Sequence, residues 1–242
     1  MSTERDHRHE IVRIGKLLHS SGMVAATDGN ISIRIGDDRI LSTPTAMSKG
    51  LMSPEDLVVV DCEGGHISGE RSVSSEIGMH LLIYRMRPDI REIVHAHPPT
   101  ATGFAAAGMA LDQPLCSEMI ITLGAVPLAR YGTPGTSELA HSLEPLIPHH
   151  CAILMANHGV VTYGADLQRA FMCMETVEHF AKITLVTHLL GRQTLLNDEQ
   201  VGKLRQVAEQ YVSGGGNGSG RAHASELQQR VQPVTAASRK DK

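Results

Sequence analysis

The stretch NISIRIGDDRIL, residues 30–41, constrains the fold more than any other part of the chain. Ile31, Ile33 and Ile35 alternate with other residues, Gly36-Asp37-Asp38 turns the chain, and Ile40 and Leu41 return. Alternation at period two buries one face of a strand, and a tight turn makes its neighbour run antiparallel. The theme recurs between helical segments. Residues 4–22 place Ile11, Ile14, Leu17 and Leu18 at helical spacing with Gly22 as the stop. A strand at 58–61 meets the Gly64-Gly65 turn. SSEIGMHLLIYRMRP reads as a helix with Ser74 and Ser75 as candidate caps, Glu76 in its first turn and Pro88 past its end. EIVHAHP reads as a strand, PTATGFAAAG as a short helix and MIITLGAVPLA as a further strand region. A helix opened by Thr136 or Ser137, the strand-turn-strand CAILMANHGVVTYG, a long helix closed by Gly191 and a last helix over about 197–212 complete the order. Interleaved strands and helices predict an α/β fold, one domain over residues 4–212 with a mostly antiparallel sheet. Residues 213–242, rich in Gly and Ser and otherwise polar, are expected to form a disordered tail.

Composition removes several function classes. Net charge is −4 with no basic cluster, so nucleic acid is not an expected partner. No apolar run approaches the ~20 residues of a membrane span, and the charged opening MSTERDHRHEIVRIGKLL does not read as a signal peptide. A cytoplasmic protein with no membrane partner is the expectation. Cys62, Cys116, Cys151 and Cys173 are far apart and form no CxxC pair, which suits reduced thiols rather than disulfides or zinc-thiolate chemistry. Histidine, at 14 residues, is abundant enough to raise a metal reading.

His95 and His97 are two apart on a strand, so both imidazoles face one way, and Pro98-Pro99 ends the pairing where a site can open. One surface and one core histidine would give the same spacing. His158, in the turn ANHGVV beside Gly159, offers a third imidazole, and three imidazoles with one exchangeable position describe a catalytic divalent-metal site. Glu76 is the natural fourth member, although a carboxylate at a helix N-terminus also complements the helix dipole. His80, four residues on along the same helix face, is a rival ligand. His141, His179 and His188 lie beside charges in helical patterns, as surface or packed residues would, and His149-His150 point apart if extended.

TDGNISIR, STPTAMSKG, SVSSEIGMH, VHAHPP, YGTPGT and ANHGVV stand in the order and at the spacing of the class II aldolase/adducin family, which the chain resembles from about residue 7 to residue 212. The resemblance implies a central antiparallel sheet flanked by helices, and a C4 homotetramer with active sites at subunit interfaces. It carries the metal ligands to His95, His97 and His158, with Zn2+, Mn2+ or Co2+ as cofactor. It makes Glu76 a ligand at rest and the catalytic acid/base once substrate displaces it. A phosphate pocket falls on Gly29, Asn30, Thr45, Ser74 and Ser75, residue types suited to an anion at a helix N-terminus. Ala46 stands where the aldolases have Gly. Lys49 could add charge for a phosphate or carboxylate, or be a solvated loop lysine. Tyr211 matches a C-terminal tyrosine that serves the aldehyde oxygen, and Glu118 replaces a tyrosine supplied by the neighbouring subunit.

The implied activity is that of an aldehyde-lyase acting on a small phosphorylated sugar. It would cleave a ketose 1-phosphate of the L-fuculose 1-phosphate kind to dihydroxyacetone phosphate and an aldehyde by retro-aldol chemistry through an enediolate held by a divalent ion. Related readings are a pyruvate-type aldolase or a sugar-acid-phosphate decarboxylase. A ribulose-phosphate 4-epimerase would carry Asp at the position of Glu76, and an adducin-like module would lack the ligand set.

Overall fold

In the computed structural model, which describes residues 2–214 and side chains as far as residue 210, the hairpin that dominates the sequence forms as expected. Strand β1 (Asn30–Gly36) pairs antiparallel with β2 (Arg39–Ser42). Ile31 and Ile33 are fully buried on one face, a contribution of about 1.5–3 kcal/mol each. Ser32 and Arg34 take the other face, where Ser32 meets His80 and Tyr84. The hairpin seeds an eight-stranded sheet in the order β4-β3-β2-β1-β5-β8-β7-β6. Its other strands are β3 (Val58–Val60), β4 (His66–Ser68), β5 (Glu92–Ala96), β6 (Leu128–Ala129), β7 (Ala152–Met155) and β8 (Gly159–Gly164). All pairings are antiparallel except β6 with β7.

Helices cover both faces. Helix α1 (Glu4–Ser20), opened by a Thr3/Asp6 capping box, packs with α3 (Pro99–Ala106), α4 (Ser117–Thr122) and α6 (Leu167–Leu189) over the face that carries Ile31, Val94 and Val160. Helix α2 (Ile77–Met86) and α5 (Ser137–Leu143) cover the opposite face over Ile40, Ile93 and Val161. Thr136 is the side-chain cap of α5, and Gly191 follows α6 with φ +66°. Helix α7 (Asp198–Gly214) lies against α4. No helix among the described residues is long and apolar enough to cross a membrane. The four cysteines are free thiols.

Four sequence expectations are corrected. The run MIITLGAVPLA is not a strand region. Its first part is α4, with Met119, Ile120 and Leu123 buried on one side, and only Leu128–Ala129 are extended. Short apolar runs carry no decisive periodicity, and the α1/α6 face selects the helix. Helix α2 starts one residue later than its serines suggest. Glu76 occupies the N-cap position without a capping side chain, and Ser74 Oγ accepts the Glu76 N–H at 3.3 Å. His97 lies beyond β5, held there by its own N–H on the Met23 carbonyl at 2.9 Å. Helix α7 runs through residues 213 and 214; the tail expected over 213–242 otherwise lies outside the described residues.

Helix α3, which leads away from His97, has Pro99 at its first position and no local side-chain cap. The carboxylate of Glu178, buried on α6, does that work from a distance. It accepts the N–H groups of Thr100 at 3.1 Å and Ala101 at 2.9 Å and the Thr100 hydroxyl at 2.8 Å. Glu178→Ala is expected to cost about 3 kcal/mol, because buried donors lose a charged acceptor. A urea midpoint that falls at unchanged m-value checks it.

Candidate active site

Two stretches of chain, the end of β5 and the β7–β8 turn, deliver three imidazoles to one point. His95 is the last but one residue of β5, His97 stands two residues on, and His158 closes the β7–β8 turn. Asn157 gives that turn its left-handed residue, at φ +55°. Two glycines let the backbones close on the strand end. A Cβ on Gly159 would stand 2.6 Å from the Ala96 carbonyl and from His97 Cδ2. A Cβ on Gly29, at φ +72°, would meet the His95 carbonyl at 2.7 Å. Gly29 is therefore required by the approach of β1 to β5, where Asn30 pairs with His95.

Ring centroids of the three histidines are 4.8, 4.8 and 5.1 Å apart. Glu76 reaches them from the start of α2, with Oε2 3.2 Å from His95 Nε2 and Oε1 3.1 Å from His158 Nε2. His95 is fully buried, and its Nδ1 donates to the Val160 carbonyl at 2.9 Å. A neutral His95 then turns a bare Nε2 toward Glu76 Oε2 and toward His97 Nε2, which is 3.1 Å away. Glu76 Oε1, buried, takes no hydrogen bond despite its short distance to His158. Lone pairs facing lone pairs in a buried space repel, and a divalent cation among them turns the repulsion into coordination. The donor set fits such an ion, and the three histidines form a group able to hold one.

The surrounding charges keep the ligands in the form that binds metal. Burial pushes His97 down to about 4, with His95 and His158 adding to the effect, so it is neutral at neutral pH. Burial pushes the Glu76 carboxyl up, but hydrogen bonds from His158 and His95, and their charge, more than reverse this when those rings hold a proton. In the absence of an ion a proton on either ring does for the carboxylate what the cation would do, and Glu76 is ionised, below the usual carboxylate range.

Behind Glu76 runs a chain of polar groups in which Asn30, expected at the phosphate, and His80, expected as a rival ligand, take roles that the sequence did not suggest. Asn30 Nδ2 donates to Glu76 Oε2 at 2.8 Å, and Asn30 Oδ1 accepts from His80 Nε2. His80 Nδ1 must then accept, and it faces Ser32 Oγ at 2.6 Å; Ser32 Oγ in turn lies 2.8 Å from the Tyr84 hydroxyl. His80 is buried and held down to about 3 by that burial, so it is neutral and belongs to this chain rather than to the ligand cluster. Sequence reasoning missed Asp28; its Oδ2 lies 3.5 Å from His97 Nδ1, on the side of the ring away from His95. The period-two pattern gives no sign of either, because both depend on which strand lies beside β5.

The expected phosphate residues divide. Thr45, Ser74 and Ser75 are brought together, because Pro44 and Val73 form a bridge and the Thr45 N–H bonds the Ser72 carbonyl at 3.0 Å. Thr45 and Ser75 are exposed, while Ser74 is buried. The Asn30 amide is already occupied by Glu76 and His80. Lys49 is not a solvated loop lysine: it is 1% exposed, with Nζ donating to the carbonyls of Thr27 and Met47. Burial pushes it down to about 8, opposed by Asp28. Glu118 is exposed on α4 and outside the histidine cluster. Tyr211 falls within α7, and its side chain lies outside the described residues. His188 packs beside Phe104, with ring centroids 5.9 Å apart, as a helical non-ligand would.

The model of the class II aldolase and adducin N-terminal domain matches residues 9–185. The chain belongs to the class II aldolase and adducin family. As an enzyme of this metal-dependent family it is 36% identical over 206 residues to the 5-deoxy-D-ribulose 1-phosphate aldolase of Bacillus thuringiensis serovar kurstaki, covering 84% of this chain and 96% of that protein. It is 32% identical over 188 residues to the 3-oxo-tetronate 4-phosphate decarboxylase of Escherichia coli K12, covering 76% and 88%. A solved L-fuculose 1-phosphate aldolase superposes with a TM-score of 0.79 at 33% identity, covering 87% of this chain and 97% of that one. Within the family fold, Ala46 sits at φ +54°, a conformation that costs a non-glycine residue about 1 kcal/mol or more. Ala46→Gly is expected to raise the melting temperature by roughly 2–4 °C, as differential scanning calorimetry would show.

Proposed function

We propose that this chain is an aldehyde-lyase that cleaves a ketose 1-phosphate to dihydroxyacetone phosphate and an aldehyde. Its cofactor would be Zn2+, or Mn2+ or Co2+, on His95, His97 and His158, with Glu76 as the fourth ligand at rest. The observation that carries this reading is the convergence of three imidazoles, with Nε2 of His95 and of His158 beside the Glu76 carboxylate, next to the N-terminal end of α2. When bound, the ion supplies Lewis-acid polarisation of the substrate's ketone oxygen.

The chain's own residues do the rest. The Ser74, Ser75 and Thr45 hydroxyls and the first N–H groups of α2 bind the phosphate, an anion site that needs no basic clamp. In cleavage the C4 hydroxyl gives up its proton, the C3–C4 bond breaks toward C3, and the electron pair left there spreads onto the C2 oxygen. Once substrate displaces it, Glu76 takes up a proton from solvent and delivers it to C3, completing dihydroxyacetone phosphate, while the C4 proton leaves to solvent through its own acceptor. In synthesis the same carboxylate removes the C3 proton. Asn30, backed by His80, Ser32 and Tyr84, orients Glu76 Oε2 for this transfer. Asp28 orients His97. The C4 proton falls to Tyr211 or Glu118; Glu118, exposed on α4, suits the role only from a neighbouring copy in a homotetramer. Lys49 holds the loops of Thr27 and Met47 rather than a substrate carboxylate.

A sugar-acid-phosphate decarboxylase is the second reading, favoured by the 3-oxo-tetronate 4-phosphate decarboxylases among the relatives. Zn2+-loaded protein should release dihydroxyacetone phosphate from L-fuculose 1-phosphate or 5-deoxyribulose 1-phosphate, read through NADH oxidation by glycerol-3-phosphate dehydrogenase. Carbon dioxide from 3-oxo-tetronate 4-phosphate without cleavage of either ketose phosphate would replace the first reading with the second.

A further inference from the structure

We propose that His7, Glu10 and Glu92 form a second divalent-cation site that ties α1 to β5 and to the start of α6. One donor atom from each residue lies within 4.8 Å of the others, and His7 Nδ1 is 4.0 Å from Glu10 Oε2. His7 and Glu10 are three apart on α1 and so share a face. Glu92 begins β5, where alternation turns it with Val94 toward α1 and α6, whereas His95 faces α2. The two clusters therefore stand on opposite faces of the sheet.

Two unpartnered atoms point to a ligand here. Glu92 is only 6% exposed, and its Oε2 is buried without a hydrogen-bond partner; His7 Nδ1 is buried and unpartnered as well. Among the described residues no lysine or arginine forms an ion pair with Glu10 or Glu92. The Leu167 N–H at the start of α6 orients the Glu92 carboxyl without neutralising it. Burial, then the Glu10 and Asp166 charges, push that carboxyl up to about 8 against the opposing Leu167 N–H and the Arg91 charge, so that with no cation bound it holds a proton. Two carboxylates and an imidazole suit Zn2+ or Mn2+. Metal–ligand bonds of about 2.1 Å place tetrahedral donors roughly 3.4 Å apart. The half-buried side chains of His7 and Glu10 close that difference by rotamer adjustment on α1.

The test is a count of bound Zn2+ per chain, by elemental analysis after equilibrium dialysis of untagged full-length protein, in wild type, Glu92→Gln and His7→Gln. Each variant should bind one ion fewer than wild type and lose the extra thermal stabilisation that Zn2+ gives. Equal counts in all three would overturn the site and leave Glu92 as a buried carboxylic acid. Should Glu92→Gln fail to fold, His7→Gln carries the comparison, since it alters a half-buried residue in an early turn of α1. The readout uses no substrate and stands apart from the lyase assignment.

Discussion

Glu76→Gln is expected to lower the rate of ketose-phosphate cleavage by roughly 10²–10⁴-fold, the usual worth of a positioned acid/base, while the protein folds and keeps most of its metal. The amide retains the shape of the carboxylate and can still offer an oxygen to a bound ion, but it cannot carry a proton to and from carbon. The replacement also meets Asn30 Nδ2, which now donates to Oε2 at 2.8 Å. An amide oxygen accepts that bond as the carboxylate did, so little structural change should follow. Turnover measured beside metal content and melting temperature separates the two properties. Full activity in the variant would remove Glu76 from the proton transfer.

His158→Ala has a different signature. It removes one of three imidazole ligands from a turn rather than from the core of a strand, so its direct effect falls on the ion. Loss of Lewis-acid stabilisation worth several kcal/mol corresponds to about 10³-fold or more in rate. The same substitution relieves the crowding of donor atoms around Glu76 in metal-free protein. Wild type should therefore lose thermal stability when a chelator strips the metal, by the linkage that ligand binding imposes. In a Glu92→Gln background, which takes away the second proposed site, His158→Ala should show little chelator effect. A chelator-sensitive, active His158→Ala protein would place the ion on other residues.

Much of this site is written locally. VHAHPP, ANHG and SSE each combine a side chain able to bind metal or anion with a residue that ends or turns its element, and the structure brings those three stretches together. What lies between them is not local. Asn30 holds Glu76 because β1 pairs with β5 in the register Asn30 to His95, a relation between residues sixty-five apart in the chain that no period reveals. His80 looks like a ligand by helical spacing, and becomes a buried hydrogen-bonding partner because Asn30 and Ser32 of β1 lie beneath it. The fold follows the same division. Hairpins and long helices are legible from alternation and caps, whereas the first part of the apolar run at 119–129 joins α4 only because the α1/α6 face of the sheet needs cover. Lys49 shows the limit most directly: its loop position suggests solvent, and two backbone carbonyls bury it instead.

The most direct test of the account needs no knowledge of the aldehyde. Metal-loaded protein is incubated in D2O with dihydroxyacetone phosphate and pyruvate together, and proton loss from each is followed by NMR. The account predicts deuterium entering dihydroxyacetone phosphate alone, with the exchange abolished by Glu76→Gln and by metal removal. Exchange into pyruvate alone, or exchange into dihydroxyacetone phosphate that survives Glu76→Gln, would contradict it.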